Sequence, residues 1–224
     1  MAELIVAFDL SSGREALALA ARLPGLRWAK IGPVLYTREG PAIVREFVAR
    51  GLRVFLDLKW HDIPSVVAEA VAAAGEQGVA MATVHTLGGP AMLAAAAGAA
   101  GNIALVGVTI LTSHDTPEVE RVLGRGVPDL GFEAERLARL AVAARLRGVV
   151  ASGRDLTLLR AALGPDLWIV VPGIREPADA TADQRRTVTP AEAVRLGATH
   201  LVVGRQLTRA GDPAQVYQRL VESL

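Results

Sequence analysis

VFLDLKWHDIPSVVAEAVAAAGEQG, residues 54–78, is the stretch that decides the fold. An apolar run, VFLDL (54–58), gives way to a charged corner and then to PSVVAEAVAAAGEQG (64–78), which opens on proline and closes on glycine. Continuous apolar runs suit strands buried on both faces. Proline at the start and glycine at the end punctuate a helix. The stretch reads as one strand feeding one helix.

The same unit recurs in both directions. Strands are expected at LIVAF (4–8), WAKI (28–31), VFLDL, MATV (81–84), IALVGV (103–108), GVV (148–150), LWIVV (167–171) and HLVV (200–203). Between them lie the helix-like stretches REALALAARL, PAIVREFVARG, FEAERLARLAVAARLRG, RDLTLLRAALG and TPAEAVRLG, with DPAQVYQRLVESL at the end. Eight strands alternating with helices over 224 residues predict an α/β fold, the (β/α)8 TIM barrel, as a single domain over 1–224. A doubly wound sheet would want G-x-G-x-x-G after the first strand, and FDLSSG lacks it. EPADATADQRRTV (176–188) has no apolar anchor beyond its ends and reads as a mobile loop, a lid over the barrel.

Composition narrows the function classes. With 51% hydrophobic residues, 21% charged and a net charge of +1, the chain is not disordered. It has neither the basic excess nor the stacking rings of a nucleic-acid binder. Zero cysteines exclude disulfides, thiolate chemistry and cysteine-held metals, and suit a reducing, cytoplasmic setting. The opening MAELIVAFDL is too short and too acidic for a signal peptide. Residues 86–113 carry no charge, yet Gly88, Gly89, Pro90, Gly98, Gly101, Asn102 and Gly107 break them into helix, turn and strand rather than a membrane span.

The basic residues hold a sharper signal. Of 24, only Lys30 and Lys59 are lysine. Arginine does not release its proton near neutral pH, whereas a lysine ammonium does. In a barrel of this kind the site lies at the C-terminal strand ends. Read in order, those ends carry Asp9, Lys30, Asp57 with Lys59, His85, Thr109 to Ser113, Ser152, Pro172 to Arg175, and Gly204 with Arg205. Alternation along a strand turns Asp57 and Lys59 to one side. With Lys30 and Asp62 they form an array of two cations and two anions that keep each other ionised. A buried salt-bridge network would use the same residues. VVPGIR and VVGRQL place glycines beside Arg175 and Arg205 after strands seven and eight, the usual phosphate loops of this fold. His61, His85, His114 and His200 lack metal-ligand spacing, and no metal or cofactor is expected.

These pieces resemble the orotidine 5′-phosphate decarboxylase family along nearly the whole chain. The matching motifs are VAFD, K-x-G at Lys30, D-x-K-x-x-D-I-P from Asp57 to Pro64, VTILTS, PGIR, DQ-x-R and VVGR, in the family's order. The resemblance implies conversion of orotidine 5′-phosphate to UMP without a cofactor. Lys59 would protonate the C6 carbanion, Asp57 would face the departing carboxylate, and Lys30 would hold Asp57 and a ribose hydroxyl. Asp9 would meet the ribose, and Thr112 or Ser113 the pyrimidine. Gln184 would bridge base and phosphate, which Arg175, Gly204 and Arg205 would bind. Asp62 and Ile63 would complete the site of a second subunit in a homodimer. The family's DIPNT reads DIPSV here, so Val66 cannot offer the hydroxyl expected at that place. Two rivals stand beside this reading: a sugar-phosphate lyase or synthase of the same barrel superfamily, and a non-catalytic nucleotide-binding barrel.

Overall fold

Every strand among the described residues finds a parallel partner on both sides, so none of them is left as a sheet edge. The computed structural model describes residues 2–174 and 188–224. In chain order the elements begin β1 (Glu3–Ala7), α1 (Gly13–Ala21), β2 (Trp28–Ile31), α2 (Pro33–Glu39), α3 (Pro41–Ala49), β3 (Arg53–Trp60) and α4 (Pro64–Glu76). They continue with β4 (Met81–His85), α5 (Gly89–Ala99), β5 (Ala104–Val108), α6 (Thr116–Leu123), α7 (Leu130–Ala143), β6 (Gly148–Val150) and α8 (Leu156–Leu163). The last are β7 (Trp168–Val171), α9 (Pro190–Arg195), β8 (His200–Val203), α10 (Arg205–Thr208) and α11 (Pro213–Glu222). The strands pair in sequence order and β8 closes on β1, giving the eight-stranded parallel barrel that the alternation predicted. The expected lid at 176–188 falls, apart from Val188, outside the described residues.

Apolar strands bury both faces, which yields two cores. Inside the barrel, Ile5, Trp28, Phe55, Met81, Val106, Val170 and Val202 pack on one another. Outside it, alternate strand residues such as Leu4, Val6, Ala29, Val54 and Leu56 meet the helices through Val44, Phe47, Val71 and Leu93. Each Val, Leu, Ile, Met or Phe among them contributes roughly 1.5–3 kcal/mol on burial.

Local chemistry sets the helix starts. Pro33, Pro41, Pro64, Pro190 and Pro213 stand in the first turns of their helices, where a missing N–H costs nothing. Three helices, α2, α6 and α10, were not anticipated from sequence. The signal for α6 was present: Asp115 accepts from the Glu118 N–H while Glu118 reaches back to Asp115 N, a capping box.

One strand departs from its expected form. β3 runs on to Trp60, beyond the predicted end at 58, because it bulges. Leu56 pairs with Ala82 and Trp60 with Val84, so Asp57, Leu58 and Lys59 all lie opposite Thr83 alone. Lys59 takes a φ of 53°, one of two positive-φ residues besides glycine among those described. Such a backbone costs on the order of 1 kcal/mol.

At the opposite, N-terminal end, the first residues of several strands close the barrel. The His200 ring lies 4.5 Å from Trp168 and 5.6 Å from Trp28. Arg53 covers the Trp28 ring at 4.2 Å and Arg147 covers Trp168 at 4.8 Å. A Cβ on Gly148 would strike the Trp168 carbonyl, so glycine lets β6 and β7 approach here.

Candidate active site

The strand register brings the charged residues to one level of the mouth. Ala7 pairs with Lys30 and Lys30 with Phe55, which sets Lys30 between the ends of β1 and β3. Lys30 Nζ lies 2.9 Å from Asp9 Oδ1 and 3.4 Å from Asp57 Oδ2. Lys59 Nζ lies 2.8 Å from Asp57 Oδ1. The order is Asp9, Lys30, Asp57, Lys59, alternating in sign. Gly32 makes room for it: a Cβ there would run into the Asp9 carboxylate and stand 3.0 Å from Lys30 Nζ.

Alternation along the strand was the wrong reason for the right neighbours. Asp57 and Lys59 meet because the bulge bunches them and the positive φ swings Lys59 back. Thr83, which sequence reasoning missed, sits inside this fold of the chain. Its hydroxyl accepts the Lys59 backbone N–H at 2.8 Å and donates to Asp57 Oδ1 at 3.1 Å. A lone hydroxyl in the apolar MATV run was the available signal.

Burial alone would neutralise these groups; their partners prevent it. Burial is the largest influence on Asp57 and pushes its carboxyl up, but Lys30 and Lys59, with hydrogen bonds from Lys59 and Thr83, hold it below the usual carboxylate value. Burial likewise pulls Lys30 down, and Asp57 and then Asp9 carry it above the ordinary lysine value. The two lysines differ in access. The Lys30 side chain is 9% exposed and sealed among carboxylates, whereas that of Lys59 is 35% exposed and opens into the cavity.

That cavity occupies about 710 Å³ over the barrel's C-terminal end. Asp9, Lys30, Asp57 and Lys59 line one side. Thr112 and Ser113 line it after β5, Gly173 after β7, and Gly204 with Arg205 after β8. Thr208 and Arg209, which sequence reasoning missed, line it too. They stand one helical turn beyond Arg205, a spacing that places side chains on a shared face. Arg175 and Gln184 lie outside the described residues.

Two expected residues are not brought to the array. Asp62 is exposed, and its Oδ1 accepts the Ile63 N–H at 2.6 Å. Ile63 is 61% exposed and Val66 45%, an apolar edge beside an acidic side chain. Neither Asp62 nor Ile63 lines the cavity of its own chain.

His85 stacks on His61 at 5.5 Å between ring centres. Burial, then the charges of His61, Lys59 and His114, depress its pKa to about 4, so it is neutral near pH 7. Among the described residues no group of three histidines or carboxylates could hold a metal ion, and no helix is long and apolar enough to cross a membrane.

The chain resembles known proteins over nearly its whole length. Residues 2–220 match the profile of the Orotidine 5′-phosphate decarboxylase / HUMPS family. The orotidine 5′-phosphate decarboxylase of Opitutus terrae is 47% identical over 230 aligned positions, covering 99% of this chain and 98% of that protein. The protein of the same name from Halorhodospira halophila is 48% identical, covering 94% and 91%. The crystal structure of orotidine 5′-phosphate decarboxylase from Lactobacillus acidophilus superposes with a TM-score of 0.88 at 30% identity, covering 100% of this chain and 99% of that one.

Proposed function

The chain belongs to the Orotidine 5′-phosphate decarboxylase / HUMPS family, and from that premise we propose that it converts orotidine 5′-phosphate to UMP, the closing step of pyrimidine nucleotide synthesis. The relatives from Opitutus terrae, Alcanivorax borkumensis and Halorhodospira halophila, which match it over nearly the whole chain, carry the decarboxylase name rather than that of a sugar-phosphate enzyme. The residue roles are our reading of the mouth.

One observation carries the chemistry: Asp57, ionised between two lysines, lies 2.8 Å from a Lys59 ammonium that opens into the cavity. A substrate carboxylate set beside Asp57 is repelled. Breaking the bond to C6 releases carbon dioxide and leaves the electron pair on C6. The Lys59 ammonium faces that charge, stabilises it and then donates its proton, with solvent restoring the proton afterwards. Preorganised charge of this kind is usually the largest catalytic contribution. Arg205 and the backbone at Gly204 are suited to the phosphate, and binding energy spent there offsets the cost of crowding two carboxylates. Arg175 and Gln184 are assigned to phosphate and base from the family resemblance alone, and so is the contact of Thr112 or Ser113 with the pyrimidine. The enzyme is read as cytoplasmic.

The active unit is read as a homodimer. Support comes from the exposed Asp62, which within its own chain is bonded to the adjacent Ile63 N–H and does not line the cavity, beside the exposed Ile63 and Val66. Each subunit would lend Asp62 and Ile63 to the other's site. One experiment tests chemistry and assembly together, following loss of orotidylate absorbance. Lys59→Ala and Asp62→Ala are each expected to lose on the order of 10³-fold in turnover. Mixed and re-associated, they recover roughly a quarter of wild-type activity, because half the dimers are mixed and each has one intact site. Turnover in folded Lys59→Ala within about tenfold of wild type would overturn the proton-donor role, and no recovery on mixing would overturn the shared site.

A further inference from the structure

The catalytic lysine sits on the most irregular backbone of its strand. Three residues of β3, Asp57, Leu58 and Lys59, share one opposite number on β4, and that residue is Thr83. A bulge leaves backbone groups without ladder partners. The Lys59 N–H is one of them, and the Thr83 hydroxyl takes it up at 2.8 Å. A hydroxyl has one proton to give. With its oxygen accepting from Lys59, that proton points to Asp57 Oδ1, 3.1 Å away. The same Oδ1 receives the Lys59 ammonium at 2.8 Å. Lys59 is therefore fastened at both ends by one side chain, its backbone directly and its ammonium through Asp57. Thr83 itself is fully buried and does not line the cavity.

We propose that Thr83 is a positioning residue of the decarboxylase, whose buried hydroxyl locks the bulged backbone of Lys59 and orients the Asp57 carboxylate so that the ammonium meets the reacting carbon. The inference deepens the reading of Lys59 and Asp57 as the catalytic pair and rests on it. A hydroxyl that only filled space would be replaceable by a methyl. One that holds the proton donor would not, since small displacements of a reacting group cost large factors in rate.

The test compares Thr83→Val, Thr83→Ser and Thr83→Cys by steady-state kinetics on orotidine 5′-phosphate, with thermal unfolding to confirm folded protein. Valine keeps the shape and removes the hydroxyl. It is expected to lower kcat roughly 10- to 100-fold with KM changed less than about threefold, since Thr83 touches Lys59 and Asp57 rather than substrate. Serine restores the hydroxyl and is expected within about threefold of wild type. Cysteine, a weak donor of similar volume, falls between them and decides the matter if the valine variant does not fold. Losing the donor also lets Asp57 protonate at higher pH, so the acid limb of kcat/KM moves upward in Thr83→Val and stays in place in Thr83→Ser. Wild-type kcat in folded Thr83→Val, or a cysteine variant as active as the serine one, would overturn the proposal. A wild-type protein with no orotidylate turnover would instead refute the decarboxylase reading. Carbon-13 titration of the Asp57 carboxyl in the same three variants would then still report on Thr83, with an unmoved titration counting against it.

Discussion

A pair of cations at one end of the barrel and a pair at the other are held by different means. At the mouth Lys30 and Lys59 flank Asp57, charge against charge. At the base Arg53 and Arg147 lie on Trp28 and Trp168, charge against aromatic face, with His200 between the rings. The mouth's arrangement keeps ions ionised at a place where burial resists them, which is expensive in stability and useful in chemistry. The base needs no ions inside. The arginines rest on the faces of the rings, and His200 is depressed to about pKa 4 by burial, then by Arg53 and Arg147. One end holds charge for chemistry; the other end closes the core.

That contrast breaks if a mouth variant spares turnover or a base variant abolishes it. The largest effect is expected from Asp57→Asn. It removes the anion both lysines share, so turnover should fall on the order of 10³-fold, and stability with it, because Lys30 keeps its burial and loses a partner. Orotidylate assays beside urea titration would read both. Trp28→Ala should cost about 3–5 kcal/mol in urea unfolding, since a fully buried ring leaves a cavity in the inner core, while kcat per folded molecule stays near wild type.

A smaller effect sharpens the comparison through pH. His200 has a folded pKa of about 4 against an ordinary 6.5, so the unfolded chain binds its proton first. Its contribution is present above pH 6.5 and is lost as pH falls from 6.5 to 4. Asp57 is lowered and Lys30 raised, so the contribution of that pair is complete above the ordinary carboxylate value of 3.8 and below the lysine value of 10.5. Acid destabilisation between pH 6.5 and 4 is therefore shared by His200 at the base and His85 at the end of β4. His200→Asn should flatten that limb by up to about 3 kcal/mol in chemical unfolding followed against pH, with no change in its alkaline side.

What the sequence disclosed follows the same division. The barrel was legible because its signal is local: each apolar run is a strand whatever the other runs do, and seven of the eight strands end within one residue of their expected limits. The mouth was legible because motifs there sit at strand ends, and Asp9, Lys30, Asp57, Lys59, Thr112, Gly204 and Arg205 do line one cavity. The base was not. Trp28, Trp168 and His200 are far apart in the chain and meet only when β8 closes on β1. Thr83 escaped for a related reason. Its partners are set by a bulge on a neighbouring strand, and nothing in MATV announces that three residues will face one. Asp62 and Ile63 are exposed and do not line their own chain's cavity, so their chemistry is not readable from one subunit's interior.

The bulge in β3 has a consequence for how this mouth tolerates change. Before it, β3 keeps step with β4 residue for residue; after it, β3 runs two residues ahead. Lys59 owes its direction to that slack as much as to its own side chain. A substitution at Leu58 alters a contact, but removing Leu58 would take up half the slack and turn the next residue to the other face of the sheet. The segment from Asp57 to Lys59 thus behaves like a tooth in a gear train. Its metal can be changed, and its count cannot.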